Sequence, residues 1–138
     1  MKNNKILPFN LRKHLGRCFK FAWKGIRTFY AEEYNARIHS ILAITVIIAG
    51  FCFNITKTEW AIVVICCGLV IAAEAVNTAI ERLVDLVSPD YHPLAGKIKD
   101  MAAGAVLICA IASAIVGLII FTPCFFVLIK RIVLYIIL

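Results

Sequence analysis

The chain has 138 residues, 62% of them hydrophobic and 17% charged, with a mean hydropathy of +0.91. A soluble domain of this size has too little interior to hide that much apolar surface, so a single membrane domain over 1–138 is expected. The net charge of +7 is uneven: residues 1–27 hold eight Lys or Arg and no acidic residue.

That basic segment carries Leu15, Phe19, Ala22, Trp23, Ile26, Phe29 and Tyr30 at helical spacing, with Lys13, Arg17, Lys20, Lys24 and Arg27 on the opposite side. The pattern predicts an amphipathic helix over 8–30 lying in the membrane interface, its cations turned to water and anionic head groups. A secretory signal is not expected, because no apolar core ending in a small-residue cleavage site is present. The apolar-aromatic stripe also argues against a nucleic-acid arm, and no nucleic-acid partner is expected. Residues 38–53 form a nearly unbroken apolar run; helix from Tyr34 gives a first span over 34–53, enough to cross roughly 30 Å of hydrocarbon. The polar stretch 54–59 reads as a loop. A second span over 58–87 places Trp60 at head-group level and is ended by Ser88-Pro89-Asp90, since proline removes a donor and restricts the residue before it. A third span follows over 93–121, with Gly104, Gly117 and several alanines as small faces for close helix contact. The tail 122–138 is apolar except for Lys130 and Arg131 and receives no role. Lysine and arginine in the amino-terminal segment and in the 88–100 turn (Lys97, Lys99) place both on the cytoplasmic side. The expected architecture is an all-α membrane protein: one surface helix and three transmembrane helices.

Two chemistries are disfavoured by motif. The six cysteines show no CxxC spacing and no paired histidines, so they read as reduced, small apolar residues and not as a zinc site. Gly96-Lys97 is followed by Ile98 where a P-loop needs Ser or Thr, Tyr91 stands where its first glycine belongs, and GxGxxG does not occur. Any nucleotide is therefore held without a soluble nucleotide fold.

The second span carries the unusual feature. At about 100° per residue, Glu74, Asn77, Glu81 and Asp85 fall in one stripe less than a quarter-turn wide. A carboxylate in hydrocarbon costs roughly 2.5–3.5 kcal/mol even on the lenient insertion scale. Towards the cytoplasmic end this stripe meets Glu33 before the first span and Lys99-Asp100 opening the third. Two interfacial carboxylates could hold Mg²⁺ together with substrate phosphates, a lysine could neutralise phosphate charge, and the deeper Glu74 could accept a proton from an alcohol with its tail in the bilayer. Those are the parts of phosphoryl transfer. The same groups would equally serve as interhelical ion pairs in a scaffold, or as the ion path of a small proton or cation carrier.

Glu74-Ala-Val-Asn77-Thr-Ala-Ile-Glu81, then Asp85, Tyr91-His92 and Lys99-Asp100, with Ala22-Trp23-Lys24-Gly25 and Glu33 upstream in matching order, resembles the signature of the prokaryotic diacylglycerol kinases, a family that includes undecaprenol kinases. The resemblance covers roughly 17–118. It implies a small homotrimeric membrane kinase of the inner cell membrane, with sites shared between subunits on the cytoplasmic side, ATP as donor and Mg²⁺, or Mn²⁺, as cofactor. By position it implies Glu74 as catalytic base and Glu33 and Glu81 as metal ligands. Arg17, Lys24, Glu33, Asn77, Glu81, Asp90, Tyr91, His92, Lys99 and Asp100 are implied around the nucleotide. Phe21 and His14 stand where proteobacterial diacylglycerol kinases carry Tyr and Arg, and Ala103 replaces a Ser. The run from Glu33 through Asn35 and Arg37 to His39 resembles that of undecaprenol kinases, as does the turn from Asp90 to Ala95. This favours undecaprenol over diacylglycerol and places Arg37 and His39, with Glu74, at the lipid.

Overall fold

A computed structural model describes residues 11–137. It contains four helices and no strand among those residues: α1 Leu11–Glu32, α2 Tyr34–Phe53, α3 Lys57–Val87 and α4 Pro93–Ile137. The chain divides into two compact units at the Glu32–Glu33 junction. The first is α1, whose Leu15, Phe19, Trp23 and Ile26 are exposed along one stripe of the helix. An amphipathic helix with an uncovered apolar stripe suits a membrane interface. Residues 8–10 of the expected surface helix lie outside the described residues.

The second unit holds the three helices long and apolar enough to cross a membrane. α3 packs against α4 along most of its length and against α2 less extensively. Intrachain burial is sparse, and large apolar side chains such as Ile41, Phe51, Ile65 and Leu118 remain open. This fits a bundle whose outer surface is solvated by lipid.

Local chemistry fixes where the helices start and stop. α2 ends at Asn54, which takes the left-handed conformation (φ 52°) that asparagine tolerates better than most residues. The Ile55 N–H then donates to the Gly50 carbonyl at 3.2 Å. Two residues on, α3 opens with a capping box. The Glu59 carboxylate accepts from both the Thr56 N–H and its hydroxyl at 2.7 Å, and the Thr56 oxygen accepts from the Glu59 N–H at 3.3 Å. Beside this turn Ile55, Val63 and Ile120 form a small core with Phe53, Trp60 and Phe121 around it. Gly50 is needed here, because a Cβ at this position would sit 2.8 Å from the Trp60 ring. Gly104 and Gly117, expected as close-contact faces, have nothing within 4 Å of a Cβ inside the chain.

At the other end α3 stops at Val87, before Pro89, and α4 begins at Pro93, where a missing N–H costs nothing. His92 caps α4: its Nδ1 accepts from the Leu94 N–H at 3.2 Å. α4 does not stop at 121. It continues through Pro123 to Ile137, because no polar break follows Phe121 and proline within a membrane-type helix forfeits only one backbone bond locally.

Candidate active site

α3 carries a ladder of polar groups on its closed side. Glu74 is 3% exposed, Asn77 7% and Thr78 6%, and these are the buried polar or charged residues among those described. Rising about 1.5 Å per residue, Asn77 stands one turn, Glu81 two turns and Asp85 three turns beyond Glu74 towards the end of the helix. Glu74 has no hydrogen-bonding or ionic partner among the described residues. Asn77 Nδ2 donates to Glu81 Oε1 at 3.0 Å, which leaves Asn77 Oδ1 buried without a partner among the described residues. A buried orphan acceptor is expensive in a packed helix, and Glu74, 3% exposed and without a partner among the described residues, lies one turn from it. This pair makes the middle of α3 the candidate site.

Two ion pairs frame the outer end of the ladder. Glu33 precedes α2 in an extended conformation (φ −101°, ψ 120°) and does not cap its own helix. Its Oε1 instead accepts from Arg82 Nη2 at 2.7 Å. Arg82 directly follows Glu81, so Glu33 is held against the segment of α3 that bears Glu81. From α4, Lys99 Nζ donates to Asp85 Oδ1 at 2.5 Å. This pair draws the start of α4 onto the last rung and brings Lys99 to the acidic side.

The remaining expected residues lie apart from this cluster or in the other unit. Asp90, Tyr91 and His92 form the exposed turn between α3 and α4, Tyr91 being 92% exposed, and Asp100 is exposed on α4. Arg17 and Lys24 belong to α1, where the exposed Phe21 also sits and His14 Nδ1 lies 3.6 Å from Cys18 Sγ. Arg37 is exposed at the start of α2, while His39 lines an apolar groove of about 580 Å³ with Leu42, Val46, Val70, Ala114 and Phe121. Sequence reasoning missed three participants: Thr78, the Arg82 partner of Glu33, and Asp85 as the holder of Lys99. The signal for Arg82 was its being the sole cation of α3 beyond Lys57, set among Glu74, Glu81 and Asp85.

No three His, Cys, Asp or Glu side chains converge among the described residues, so there is no closed metal cage. Glu33 and Glu81 are acid oxygen donors carried on adjoining segments. An open pair of this kind fits a hard cation that keeps water or phosphate as its other ligands.

The family model for prokaryotic diacylglycerol kinase matches residues 20–121, the span that holds the whole ladder and both ion pairs. The chain belongs to the prokaryotic diacylglycerol kinase family. It is therefore an enzyme, a membrane lipid kinase, and the ion-carrier and scaffold readings of its carboxylates fall away. Among relatives of this kinase, an undecaprenol kinase of Bacillus subtilis is 42% identical over 115 residues, covering 81% of this chain and 94% of the relative. A diacylglycerol kinase of Synechocystis is 42% identical over 100 residues, covering 72% of this chain but 57% of that longer protein. The diacylglycerol kinase of Escherichia coli K12 is 30% identical over 95 residues, covering 69% of this chain and 78% of its own.

Proposed function

We propose that this kinase transfers the γ-phosphoryl group of ATP to the hydroxyl of undecaprenol, at the cytoplasmic side of the inner cell membrane. The observation that carries the reading is the buried, unpartnered Glu74 carboxylate one turn from the orphaned Asn77 oxygen. In this reaction the lipid oxygen forms the new P–O bond, the bond to the ADP leaving group breaks, and the hydroxyl proton passes to a Glu74 carboxylate oxygen. Glu74 suits that task because its side chain is shielded from water yet sits two turns below the carboxylates at the helix end. Glu33 and Glu81 would hold Mg²⁺, or Mn²⁺, which supplies charge neutralisation at the phosphates when bound. Asn77 orients Glu81 through its amide. Lys99, steadied by Asp85, supplies a positive charge for the phosphates, and Asn77 Oδ1 is left to meet the incoming ligand. Asp90, Tyr91, His92 and Asp100, exposed on the α3–α4 turn and the start of α4, are assigned to the nucleotide, as are Arg17 and Lys24 of the surface helix.

Two features support the lipid. The apolar groove beginning at Val70, one turn from Glu74, suits the hydrocarbon tail of a membrane alcohol. The preference for a polyprenol rests on the run from Glu33 to His39, with Arg37 and His39 at the head group, and on the near full-length match to an undecaprenol kinase. The open small-residue positions Gly68, Gly104 and Gly117 support a homotrimer with sites shared between subunits, since they leave room for a neighbour's helix.

The test offers undecaprenol and diacylglycerol at equal mole fraction in nanodiscs with labelled ATP. Labelled polyprenyl phosphate is expected to dominate. Predominant phosphatidate would move the substrate to diacylglycerol with the chemistry unchanged. ATP turnover with neither alcohol would overturn the reading.

A further inference from the structure

Glu33 is a carboxylate that the proposed reaction assigns to a cation, yet it already holds one: the Arg82 guanidinium donates to it at 2.7 Å across 49 residues of sequence. The two side chains are 44% and 26% exposed, and an ion pair this open to water contributes little to stability. Holding α2 against α3 is therefore a weak explanation for it. Arg82 is the sole Lys or Arg between Lys57 and Lys97, and it sits about 100° around the helix from Glu81. The other acids nearby are already engaged, Glu81 with Asn77 and Asp85 with Lys99.

We propose that Arg82 is an exchangeable counter-ion, which pairs with Glu33 until the metal–nucleotide complex takes that carboxylate and then transfers to the nucleotide phosphates. The inference rests on the reading of Glu33 as a metal ligand. Its physical basis is charge. A guanidinium and a divalent cation sharing one carboxylate would stand within a few ångströms of each other, a repulsive arrangement that water screens only in part. The arriving phosphates offer the displaced guanidinium a better partner, because its planar fork matches two phosphate oxygens. The Arg82 side chain is 44% exposed, so phosphate oxygens can approach it from water. One residue thus screens the carboxylate cluster and then adds a positive charge to the loaded one.

The experiment uses the full-length protein in detergent or nanodiscs, with size-exclusion profile and helical signal as folding controls. Mn²⁺ binding without nucleotide is read by electron paramagnetic resonance, and binding of a magnesium complex of a non-hydrolysable ATP analogue by calorimetry. Arg82→Gln is expected to bind free Mn²⁺ up to about fivefold tighter, because a competing cation is gone. The same variant should bind the analogue about tenfold weaker. Arg82→Lys should keep the competition at the metal and recover only part of the analogue affinity, for want of the fork. If Arg82→Gln loosens Mn²⁺, Arg82 positions Glu33 and the exchange is wrong. Unchanged affinities for both ligands make the pair purely structural and equally overturn it. Glu33→Gln separates the two levels: loss of Mn²⁺ binding there, with Arg82→Gln silent, sinks only the exchange. Full Mn²⁺ binding in Glu33→Gln sinks the metal assignment beneath it.

Discussion

Replacing Glu74 by glutamine should move activity and stability in opposite directions. The amide keeps the shape of the side chain and removes its capacity to take a proton. A positioned general base contributes about 10²–10⁴ in rate, so kcat should fall by that factor, and kcat/KM by about as much because the interaction is made in the transition state. Stability should not fall. Glu74 is 3% exposed, has no partner among the described residues, and lies 13 residues, about 20 Å, from the end of α3 at Val87. In the hydrocarbon that α3 is long and apolar enough to cross, a lone carboxylate carries a penalty of roughly 2.5–3.5 kcal/mol. Removing the charge recovers part of this penalty, less the cost of burying the amide. The assay pairs initial rates with labelled ATP and thermal unfolding of the same purified protein. A Glu74→Gln enzyme within twofold of wild-type turnover would refute the reasoning. So would one that loses activity only because it no longer folds.

Three further outcomes follow from the same geometry. Glu81→Gln should raise the Mg²⁺ concentration for half-maximal rate by about tenfold or more, with helical content unchanged, measured by metal titration of the rate. Gly50→Ala puts a methyl 2.8 and 2.9 Å from two atoms of the Trp60 ring and 3.1 Å from Ile55 Cδ1. Overpacking of this kind costs about 1–3 kcal/mol, so thermal scans should show a lower Tm while the folded fraction keeps its kcat. Thr56→Ala removes the hydroxyl from both sides of the capping box; about 0.5–2 kcal/mol of stability should be lost, with KM for ATP unmoved.

Regular features were legible in the sequence because they repeat. The apolar runs gave α2 and the onset of α4, and the 3.6-residue period put Glu74, Asn77, Glu81 and Asp85 on one stripe. Glu74 is buried as the apolar residues around it imply. The Thr56-x-x-Glu59 box was visible as a pattern but sat inside a stretch read as loop. What escaped depends on which helix faces which. Nothing local says that Arg82 reaches Glu33 or that Lys99 reaches Asp85, since those pairs are set by the docking of α2 and α4 on α3. Likewise, Gly50 makes the close approach while Gly104 and Gly117 stay open, a distinction made by Trp60 across the turn. The helix runs on past 121 because Thr122 alone is polar beside Pro123, and the apolar run resumes at once with Cys124, Phe125 and Phe126.

The crowding of polar groups onto α3 bears on how the protein is made. Upstream of Glu74 this helix offers Trp60 to Ala73 without a charge, including three Ile, three Val and one Leu. At about 0.3–0.6 kcal/mol each, those seven side chains favour entry into lipid by little more than the penalty of one acidic residue. With the remaining polar rungs counted, entry of α3 into lipid rests on this upstream apolar half. Substitutions such as Val63→Asp would then be lost at biogenesis, as missing protein, before any defect in turnover could be scored.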